Sequence, residues 1–586
     1  MLLLSLSASL PAANASASAG GYDGPAALPR VLIQTAMANT PAPGITTTVT
    51  SGESLQTALN NAKCGDTIHL QAGATFTGSF TFPAKGCDNN HWIIVRTSAP
   101  DSVLPPEGTR LTPCYAGVSS LPGRPAFHCA STNNVLAKLE MTYSASGPIV
   151  FASGANYYRL IGLEITRTAK SGITYSLASV ATHRTATGAA NGTANNLILD
   201  RVWMHGTAQD DTKKAFLVDG ISYGSLIDSF VTDIHCVAIT GACTDAAAVS
   251  GGQNPVGPFK ISNNFLESSG ENILLGGTQS AITPADIEIT HNHMFKPLTW
   301  MKGQPGYVGG ANGNPFIVKN LFELKNAQRV LLDSNIMEYT WGGFSQFGYA
   351  IVLTPKNELC PICQVTDITI RYNYISHVGG GMQLANGLAD NGAKPLGGGR
   401  YSIHDDVFDD INGTLFHGTN TFAQVTTGPG VSDLHDITIN HVTEFAQKTM
   451  LGLGVVQSTN VPMPNFVFTN NIVSAGAFPL WSTGTDGSLN CAFHDVPIIT
   501  LPACFSSYIF SNNAIIAIPG LAPVSSWPAH NFFPASPTAV EFVNYNGGNG
   551  GDYNLQSSSP YNGMGTDGKD LGANLPALTA AIANVR

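Results

Sequence analysis

The sequence predicts an all-β protein, a right-handed parallel β-helix built as one solenoid of about a dozen coils. The main observation is a phrase of the form apolar-x-apolar-x-x-Asn-x-apolar that recurs about every 25 to 45 residues. Composition agrees, because hydrophobic residues reach 43%, charged residues only 11%, and glycines number 62, which is typical of short strands joined by tight turns. Clear copies of the phrase occupy residues 259–267, 287–295, 330–338, 368–376 and 466–474.

Each phrase is interpreted as one coil. Alternating apolar residues make a strand with one inward face, and the asparagine that follows marks a bend where its side chain can bind the backbone of a turn. Stacked coils would align these side chains in an internal ladder. At residues 401–409 an aspartate takes the ladder position. The predicted ladder asparagines are Asn264, Asn292, Asn335, Asn373 and Asn471.

Domain boundaries follow from the two ends of the repeat. Residues 1–20 contain a short apolar run followed by small residues, which indicates a signal peptide, and residues 21–50 are predicted to be a linker. The β-helix is predicted over residues 51–572, opening with an amphipathic helix that caps the first coil. Residues 573–586 are predicted to be a C-terminal capping tail.

The ten cysteines fall into close sequential pairs. An even count in an exported chain favours local disulfides, so we expect about five of them and a secreted protein, extracellular or periplasmic. Cys360 and Cys363 form a CxxC motif and could instead be a redox or metal pair. The expected pairs are Cys64/Cys87, Cys114/Cys129, Cys236/Cys243, Cys360/Cys363 and Cys491/Cys504.

Net charge sets limits on the partners of the protein. A net charge of −11 and a pI near 5.7 provide no general basic field, so nucleic acid and membrane partners are not expected. Any polyanion must be bound by local cations. The sequence favours a monomer.

A local cationic strip lies in the middle of the repeat. With Phe322 and Leu324 inward, the period of two places Glu323 and Lys325 outward on one face. Arg329 follows within one turn, and Lys356 extends from the neighbouring coil. This strip could be only a salt-bridged surface, but lysine and arginine close together can also serve β-elimination at a uronic acid.

Further residues around this strip are candidates for binding a sugar chain. Asn272 and Gln383 are predicted outward on neighbouring coils, and Glu271 begins the coil before Glu323. His293 is predicted at the rim of the groove, where metal binding has no evident third ligand. The aromatic candidates for stacking on pyranose rings are Trp300 and Tyr349.

Two stretches resemble known families. ALNNAKCGDTIHLQAG, residues 58–73, looks like the opening of the pectin-lyase-like β-helix superfamily. KNAQRVLLDSN, residues 325–335, followed by GYAIVLTPKN, residues 348–357, resembles the chondroitinase-B and alginate-lyase family of polysaccharide lyases. That resemblance implies that Lys325 is the catalytic base and that Lys356 stands where the family has arginine. It also implies that Ca²⁺ could be a cofactor, but of the acidic ligands that the family places near the base this sequence has only Glu323.

These observations predict a secreted polysaccharide-degrading enzyme, a lyase that cleaves an extended acidic, uronate-containing polysaccharide. The first alternative is an inverting glycoside hydrolase that uses carboxylates on both sides of the bond, with His417 in a Phe-His-Gly sequence nearby. The second is a non-catalytic β-helix that binds glycan or serves as an adhesin. The paired acids for the hydrolase are Asp210/Asp211, Asp405/Asp406 and Asp409/Asp410.

Overall fold

The computed structural model describes residues 20–586 except 144–145, 170–171, 182–191, 238–242, 345, 357–361, 390, 456–460, 483–490 and 493–495. The predicted signal peptide lies outside the described residues except for its last position, and so does Cys360. In the part of the chain that is described, no helix is long and apolar enough to cross a membrane.

Three long sheets of parallel strands wind around one core, so the predicted parallel β-helix is confirmed. Over the described residues, sheet 1 has 14 strands, sheet 2 has 13 and sheet 3 has 12. In each coil the chain passes from sheet 1 to sheet 2 and then to sheet 3.

The strands of sheet 1 are Thr46–Val49, Thr67–Leu70, Ile93–Thr97, Asn156–Ile161, Ala194–Asp200, Ile221–Ile227, Phe259–Ser262, Ala285–Thr290, Ala327–Asp333, Gln364–Arg371, Gly397–His404, His435–Asn440, Phe466–Thr469 and Tyr508–Ser511. The strands of sheet 2 are Thr75–Thr77, Ala137–Met141, Leu163–Arg167, Trp203–His205, Phe230–Ile234, Phe265–Ser268, His293–Phe295, Ile336–Thr340, Tyr374–Val378, Val407–Ile411, Thr443–Ala446, Ile472–Ser474 and Ala514–Ile516. The strands of sheet 3 are Phe80–Phe82, Ser146–Phe151, Ser176–Val180, Lys214–Leu217, Ala247–Gly251, Glu271–Leu275, Phe322–Leu324, Tyr349–Leu353, Gly380–Asn386, Thr421–Thr427, Thr449–Val455 and Leu480–Ser482.

Other elements decorate the solenoid. Antiparallel hairpins pair Tyr22–Asp23 with Ala26–Ala27, Gly342–Gly343 with Gln346–Phe347, and Phe542–Asn544 with Asp552–Leu555. The α-helices are α1, Leu55–Asn61; α2, Pro497–Cys504; and α3, Leu575–Ala581. Short 3₁₀ helices are Met37–Asn39, Asp101–Val103, Pro113–Ala116, Leu298–Trp300, Ala311–Gly313, Val524–Ser526, Pro537–Val540 and Asn546–Gly548.

The inward residues stack in register from coil to coil. In sheet 1, Ile289, Leu332, Ile370 and Ile403 pair in sequence, and all four are fully buried. The inward assignments of Phe322 and Leu324 in sheet 3 are likewise confirmed. Because each coil shields the apolar side chains of its neighbours, one continuous core runs along the whole solenoid.

The asparagine ladder is confirmed at the bend between sheets 1 and 2. The Asn292 backbone N–H and Nδ2 both donate to Asn335 Oδ1, at 2.9 and 3.1 Å, and Asn335 makes the same two bonds to Asn373. Asn373 in turn donates twice to Asp406, so the aspartate does replace asparagine in the ladder. Val442 occupies the next position and interrupts the ladder, which then resumes at Asn471.

Asp406 gives a prediction for stability. Burial raises the pKa of this carboxyl to about 8, and one of its oxygens has no hydrogen-bond partner. Between the ordinary aspartate pKa of 3.8 and about 8 the folded protein therefore holds a proton that the unfolded chain releases, and stability falls as pH rises through that window. Asp406→Asn should remove this loss, because an amide donor at this place can reach the carbonyl of Ile370, as Asn373 reaches that of Leu332.

We expect Asp406→Asn to raise the free energy of unfolding by at least about 1 kcal/mol near pH 7, with a smaller gain near pH 4. Denaturant unfolding of both proteins at several pH values measures the difference. An equal pH dependence in the two proteins would contradict the assignment of Asp406 as a buried, protonated acid.

The N-terminal cap and the local disulfides are present as predicted. The Ser54 hydroxyl accepts the backbone N–H of Thr57 at the start of α1, and Leu55 and Leu59 bury their side chains in the first coil. Four of the five expected disulfides are confirmed. They are Cys64–Cys87, Cys114–Cys129, Cys236–Cys243 and Cys491–Cys504.

The segment 21–50, for which the sequence predicts a linker, packs along sheet 1 instead. Thr46–Val49 is the first strand of that sheet. Asp23 binds Arg371 at 2.8 Å and His404 at 2.9 Å, and the backbone N–H of Arg30 donates to Asp286. Charged side chains on the outer face of sheet 1 thus hold a segment whose own composition indicates no structure. We call residues 22–45 the N-terminal strap.

The C-terminal segment also departs from the prediction, because it lies along the side of the solenoid rather than across its end. The outer face of sheet 2 presents Phe445 and Ile472, and apolar residues of the tail, including Phe542 and Leu578, cover them. Burial of these apolar surfaces accounts for the placement. The last residue, Arg586, reaches Glu338 with a 2.6 Å ion pair. We call residues 537–586 the C-terminal strap.

The C-terminal end of the core is closed by an earlier part of the chain. Trp527 packs against Phe510 of the last strand of sheet 1 and against Phe533, and all three rings belong to the core or lie against it. The prediction of a cap at residues 573–586 is therefore corrected to a cap around Trp527.

Candidate functional site

The outer face of sheet 3 carries a line of residues in register, one from each coil. Outward and inward residues alternate along every strand, so the neighbours of the buried Ile273, Phe322 and Met382 point away from the core. In order along the solenoid, this outward line is Leu217, Ser250, Leu274, Glu323, Val352, Gln383, Gln424, Gly452 and Trp481. Its polar members are the starting point for a site.

Acids and lysines gather around Glu323 on this face. Lys325 Nζ lies 3.2 Å from Glu323 Oε1, and Asn320 Nδ2 donates to Glu323 Oε2 at 2.7 Å. Lys319 forms an ion pair with Asp245, and its Nζ lies 3.5 Å from Glu271 Oε1. Lys214 stacks in register with Glu271, two coils away. We call Lys214, Asp245, Glu271, Lys319, Glu323 and Lys325 the ionic cluster.

The cluster sets the protonation of its lysines in two directions. Glu323 is the main cause of a raised pKa for Lys325, and this attraction outweighs the opposing effect of burial. Burial lowers the pKa of Lys214 to about 8, although Glu271 and Asp245 oppose the shift. At neutral pH Lys325 is therefore a stable ammonium, while Lys214 releases its proton more readily than an ordinary lysine.

Lys325 and Lys356 lie next to each other on adjacent coils. Each follows its strand by a short step, and Leu324 pairs with Leu353 in register. The backbone N–H of Lys356 donates to the carbonyl of Lys325 at 3.0 Å. Two lysines therefore stand at the same edge of sheet 3, on the neighbouring coils where the sequence places them.

Calcium does not fit the acids of the ionic cluster. Glu271 is fully buried, and both of its carboxylate oxygens lack a hydrogen bond. Its negative charge is nevertheless balanced by the ammonium of Lys319, 3.5 Å away, rather than left for a metal ion. Across the described residues, the one group of three close His, Cys, Asp or Glu ligand atoms is Asp211 with Cys236 and Cys243, whose sulfurs form a disulfide. The three carboxylates of the cluster are arranged for ammonium groups, so no chemical step is assigned to a metal.

A pocket of about 430 Å³ opens further along the same face. Its floor includes Tyr349, which is 4% exposed and bonded to the hydroxyls of Thr419 and Thr421. Gln383 Nε2 donates to Gln424 Oε1 at 2.9 Å across two neighbouring coils. Lys448 and the rings of Phe478 and Trp481 complete the wall, with ring centroids 4.7 Å apart. We call this space the distal pocket.

The structure gathers some of the predicted site residues on this face and separates others from it. Lys325, Lys356, Glu271 and Glu323 lie around the ionic cluster, and Gln383 and Tyr349 lie in the distal pocket. Arg329 is on sheet 1, where Asp286 holds it with bonds of 2.7 and 3.2 Å. Arg329 lies in the next strand, Ala327–Asp333, which belongs to another side of the solenoid.

Three other predicted binding residues are packed inside the protein. His293 is buried on sheet 2 and lies 2.7 Å from Glu338. Trp300 is 1% exposed and packs against Phe316, so it offers no surface for stacking on a sugar. Asn272 is fully buried at a corner, where it donates to backbone carbonyls and accepts from the interior Lys296.

The paired acids of the hydrolase alternative are used in the structure of the solenoid. Asp406 belongs to the asparagine ladder, where it accepts from Asn373. Asp409 accepts the hydroxyls of Tyr374 and Tyr553, which fastens the C-terminal strap to sheet 2. Asp211 accepts the backbone N–H of Val237. None of these contacts places a pair of carboxylates on the outer face of sheet 3.

Sequence reasoning missed several residues of this face. Lys214 and Asp245 lie in coils that precede the predicted cationic strip, and Trp481 lies in a late coil with a short strand. Gln424 could have been found, because Ala-Gln-Val at 423–425 repeats the apolar-Gln-apolar pattern of Met-Gln-Leu at 382–384.

Comparisons with known proteins identify structural likenesses only. No protein-family model and no curated protein matches the chain. Among solved structures, the pectate lyase Pel9A is 11% identical, with 91% of this chain and 97% of that chain covered and a TM-score of 0.36. The alginate lyase AlyGC of family PL6 is 13% identical, with 90% and 58% covered and a TM-score of 0.43. A mannuronic acid specific family 6 lyase from human gut microbiota is 11% identical, with 80% and 87% covered and a TM-score of 0.40.

Proposed function

We propose that the protein is a secreted polysaccharide lyase that cleaves a uronate-containing polysaccharide by β-elimination on the outer face of sheet 3. The observation that carries this proposal is the adjacency of Lys325 and Lys356 on neighbouring coils. They stand on a face that also holds a pocket lined by aromatic and amide side chains. Aromatic rings and amides are the groups that bind the faces and hydroxyls of sugars.

β-Elimination at a uronate needs three things from the protein. The negative charge of the C5 carboxylate must be neutralised, the C5 proton must pass to a base, and the leaving oxygen must receive a proton. The electron pair of the C5–H bond becomes the C4–C5 double bond while the C4–O bond breaks. Lys325 is assigned as the base, as the family resemblance implies. Lys356 is assigned as the cation that neutralises the carboxylate or protonates the leaving oxygen; if it only neutralises, the proton that Lys325 takes from C5 passes to the leaving oxygen.

Glu323 controls how easily Lys325 can act as a base. An ammonium cannot accept a proton, so the ion pair with Glu323 must be weakened, or the pH raised, before Lys325 can remove the C5 proton. The proposed enzyme is therefore most active on the alkaline side of neutrality. In the resting protein, the same ammonium attracts the uronate carboxylate into the groove.

Glu323→Gln tests this assignment through pH dependence. Removing the carboxylate lowers the pKa of Lys325, so the acidic limb of the kcat/KM profile should move to lower pH and activity near pH 7 should rise. The control is Glu288→Gln, at a glutamate on sheet 1. If the alkaline limb moves instead, Lys325 acts as a charged donor and its role as base is contradicted.

A substrate screen separates the proposed reaction from the two alternatives. The purified protein is incubated with alginate, pectate, chondroitin and glucuronan while the ultraviolet absorbance of unsaturated uronides is followed. New absorbance supports the lyase. New reducing ends without absorbance indicate a hydrolase, and glycan binding without either product indicates a binding protein or adhesin.

A further inference from the structure

We infer that the distal pocket is a pyranose subsite remote from the bond that is cleaved, and that it makes the enzyme select substrates by chain length. This inference rests on the proposed function for the position of the cleaved bond. It rests on the pocket's own residues for the nature of the ligand.

The position of the pocket follows from the register of sheet 3. Glu323 is succeeded in the outward line by Val352, Gln383, Gln424, Gly452 and Trp481. Neighbouring strands lie about 4.8 Å apart, so Gln383 stands roughly 10 Å and Trp481 roughly 24 Å from the coil of the ionic cluster. A polysaccharide lying along the solenoid axis advances by a similar length with each sugar. The pocket therefore receives sugars about two to five residues from the reacting one.

The chemistry of the pocket differs from that of the ionic cluster. Its lining residues in the described chain include no carboxylate, and Lys448 is their one charged side chain. The half-buried rings of Trp481 and Phe478 meet at 66°, which offers a ring face for stacking.

In the bond between the two amides, Gln383 uses one donor and Gln424 uses one acceptor, and each amide has further hydrogen-bonding capacity for sugar hydroxyls. These groups suit binding of a pyranose, with Lys448 available for a uronate carboxylate. Among the described residues of this lining, Lys448 has no second cation beside it, unlike the adjacent Lys325 and Lys356. The role of the pocket is therefore to bind, and it adds affinity only when the chain is long enough to reach it.

The test measures kcat/KM against chain length, from disaccharide to octasaccharide of whichever polymer the native protein cleaves. For the native protein we expect kcat/KM to rise about tenfold or more between the trisaccharide and the hexasaccharide. In Trp481→Ala most of that rise should be lost. Trp481→Phe is the matched control, because it keeps a ring for stacking and should keep most of the rise.

Calorimetric titration with the same oligosaccharides separates failure of the subsite from failure of the lyase assignment. If the native protein binds alginate, pectate, chondroitin or glucuronan hexasaccharides without cleaving them, and Trp481→Ala weakens that binding, the pocket stands as a pyranose-binding site and the lyase assignment falls. If Trp481→Ala leaves the length dependence and the hexasaccharide affinity unchanged, the subsite is overturned. Absence of binding and of cleavage for all four series would overturn both.

Discussion

Lys325→Ala is expected to lower turnover by at least about 10²-fold on the polysaccharide that the native protein cleaves. If Lys325 removes the C5 proton, the other lysines of this face do not replace it, because Lys356 already serves the carboxylate or the leaving oxygen. Lys319 is committed to Asp245 and Glu271, and Lys214 lies several coils away. The measurement is the initial rate of appearance of unsaturated product, together with the affinity for an uncleaved oligosaccharide.

The controls for this variant address charge and folding. Removal of Lys325 leaves the buried Glu323 with Asn320 as its remaining partner, so a moderate loss of stability is expected. The double variant Lys325→Ala with Glu323→Gln removes the unpaired charge, so it should restore the melting temperature but not the rate. Lys260→Ala, on sheet 1, controls for loss of a lysine elsewhere. Wild-type rates in Lys325→Ala would show that the site is wrong.

The second lysine has a matched pair of variants. Lys356→Ala should be as damaging as Lys325→Ala, whereas Lys356→Arg should retain activity, because a guanidinium also neutralises a carboxylate. Loss of activity in both variants would indicate that Lys356 is needed for packing rather than for charge.

Leu332→Asp is expected to unfold the coils around it. Leu332 is fully buried between Ile289 and Ile370, and a carboxylate placed there without a partner costs several kcal/mol. Thermal melting followed by circular dichroism measures the effect. Val467→Asp is the control, because Val467 is half-buried in the same sheet beside an inward phenylalanine. Native-like melting of Leu332→Asp would contradict the inward assignment.

The sequence was sufficient to predict the features that recur from coil to coil. Leu332 and its equivalents recur at one position of the phrase, and Asn335 recurs at another, so stacking of coils determines their surroundings. Lys325 and Lys356 could be placed together for the same reason, because both follow aligned strands. Periodicity carries this information since each coil contacts mainly the next one.

Features that depend on which particular side chains meet could not be predicted in this way. Trp300 is covered by Phe316, and His293 pairs with Glu338 from the next coil, in an arrangement that no local pattern indicates. Arg329 follows Lys325 by four residues, yet the bend between sheets turns it to another face. Both straps escaped prediction because the partners of Asp23 and of Arg586 lie hundreds of residues away.

The two straps have a consequence for how the solenoid comes apart. In a stack of coils that touch only their neighbours, the end coils can peel away one at a time. Here Asp23 is joined to the coil of His404, and Arg110 in an early loop donates to the carbonyl of Val585 near the end of the chain. Early loss of either terminal coil would also disturb contacts in the middle of the stack, so these links should convert gradual fraying into a more cooperative, all-or-none transition.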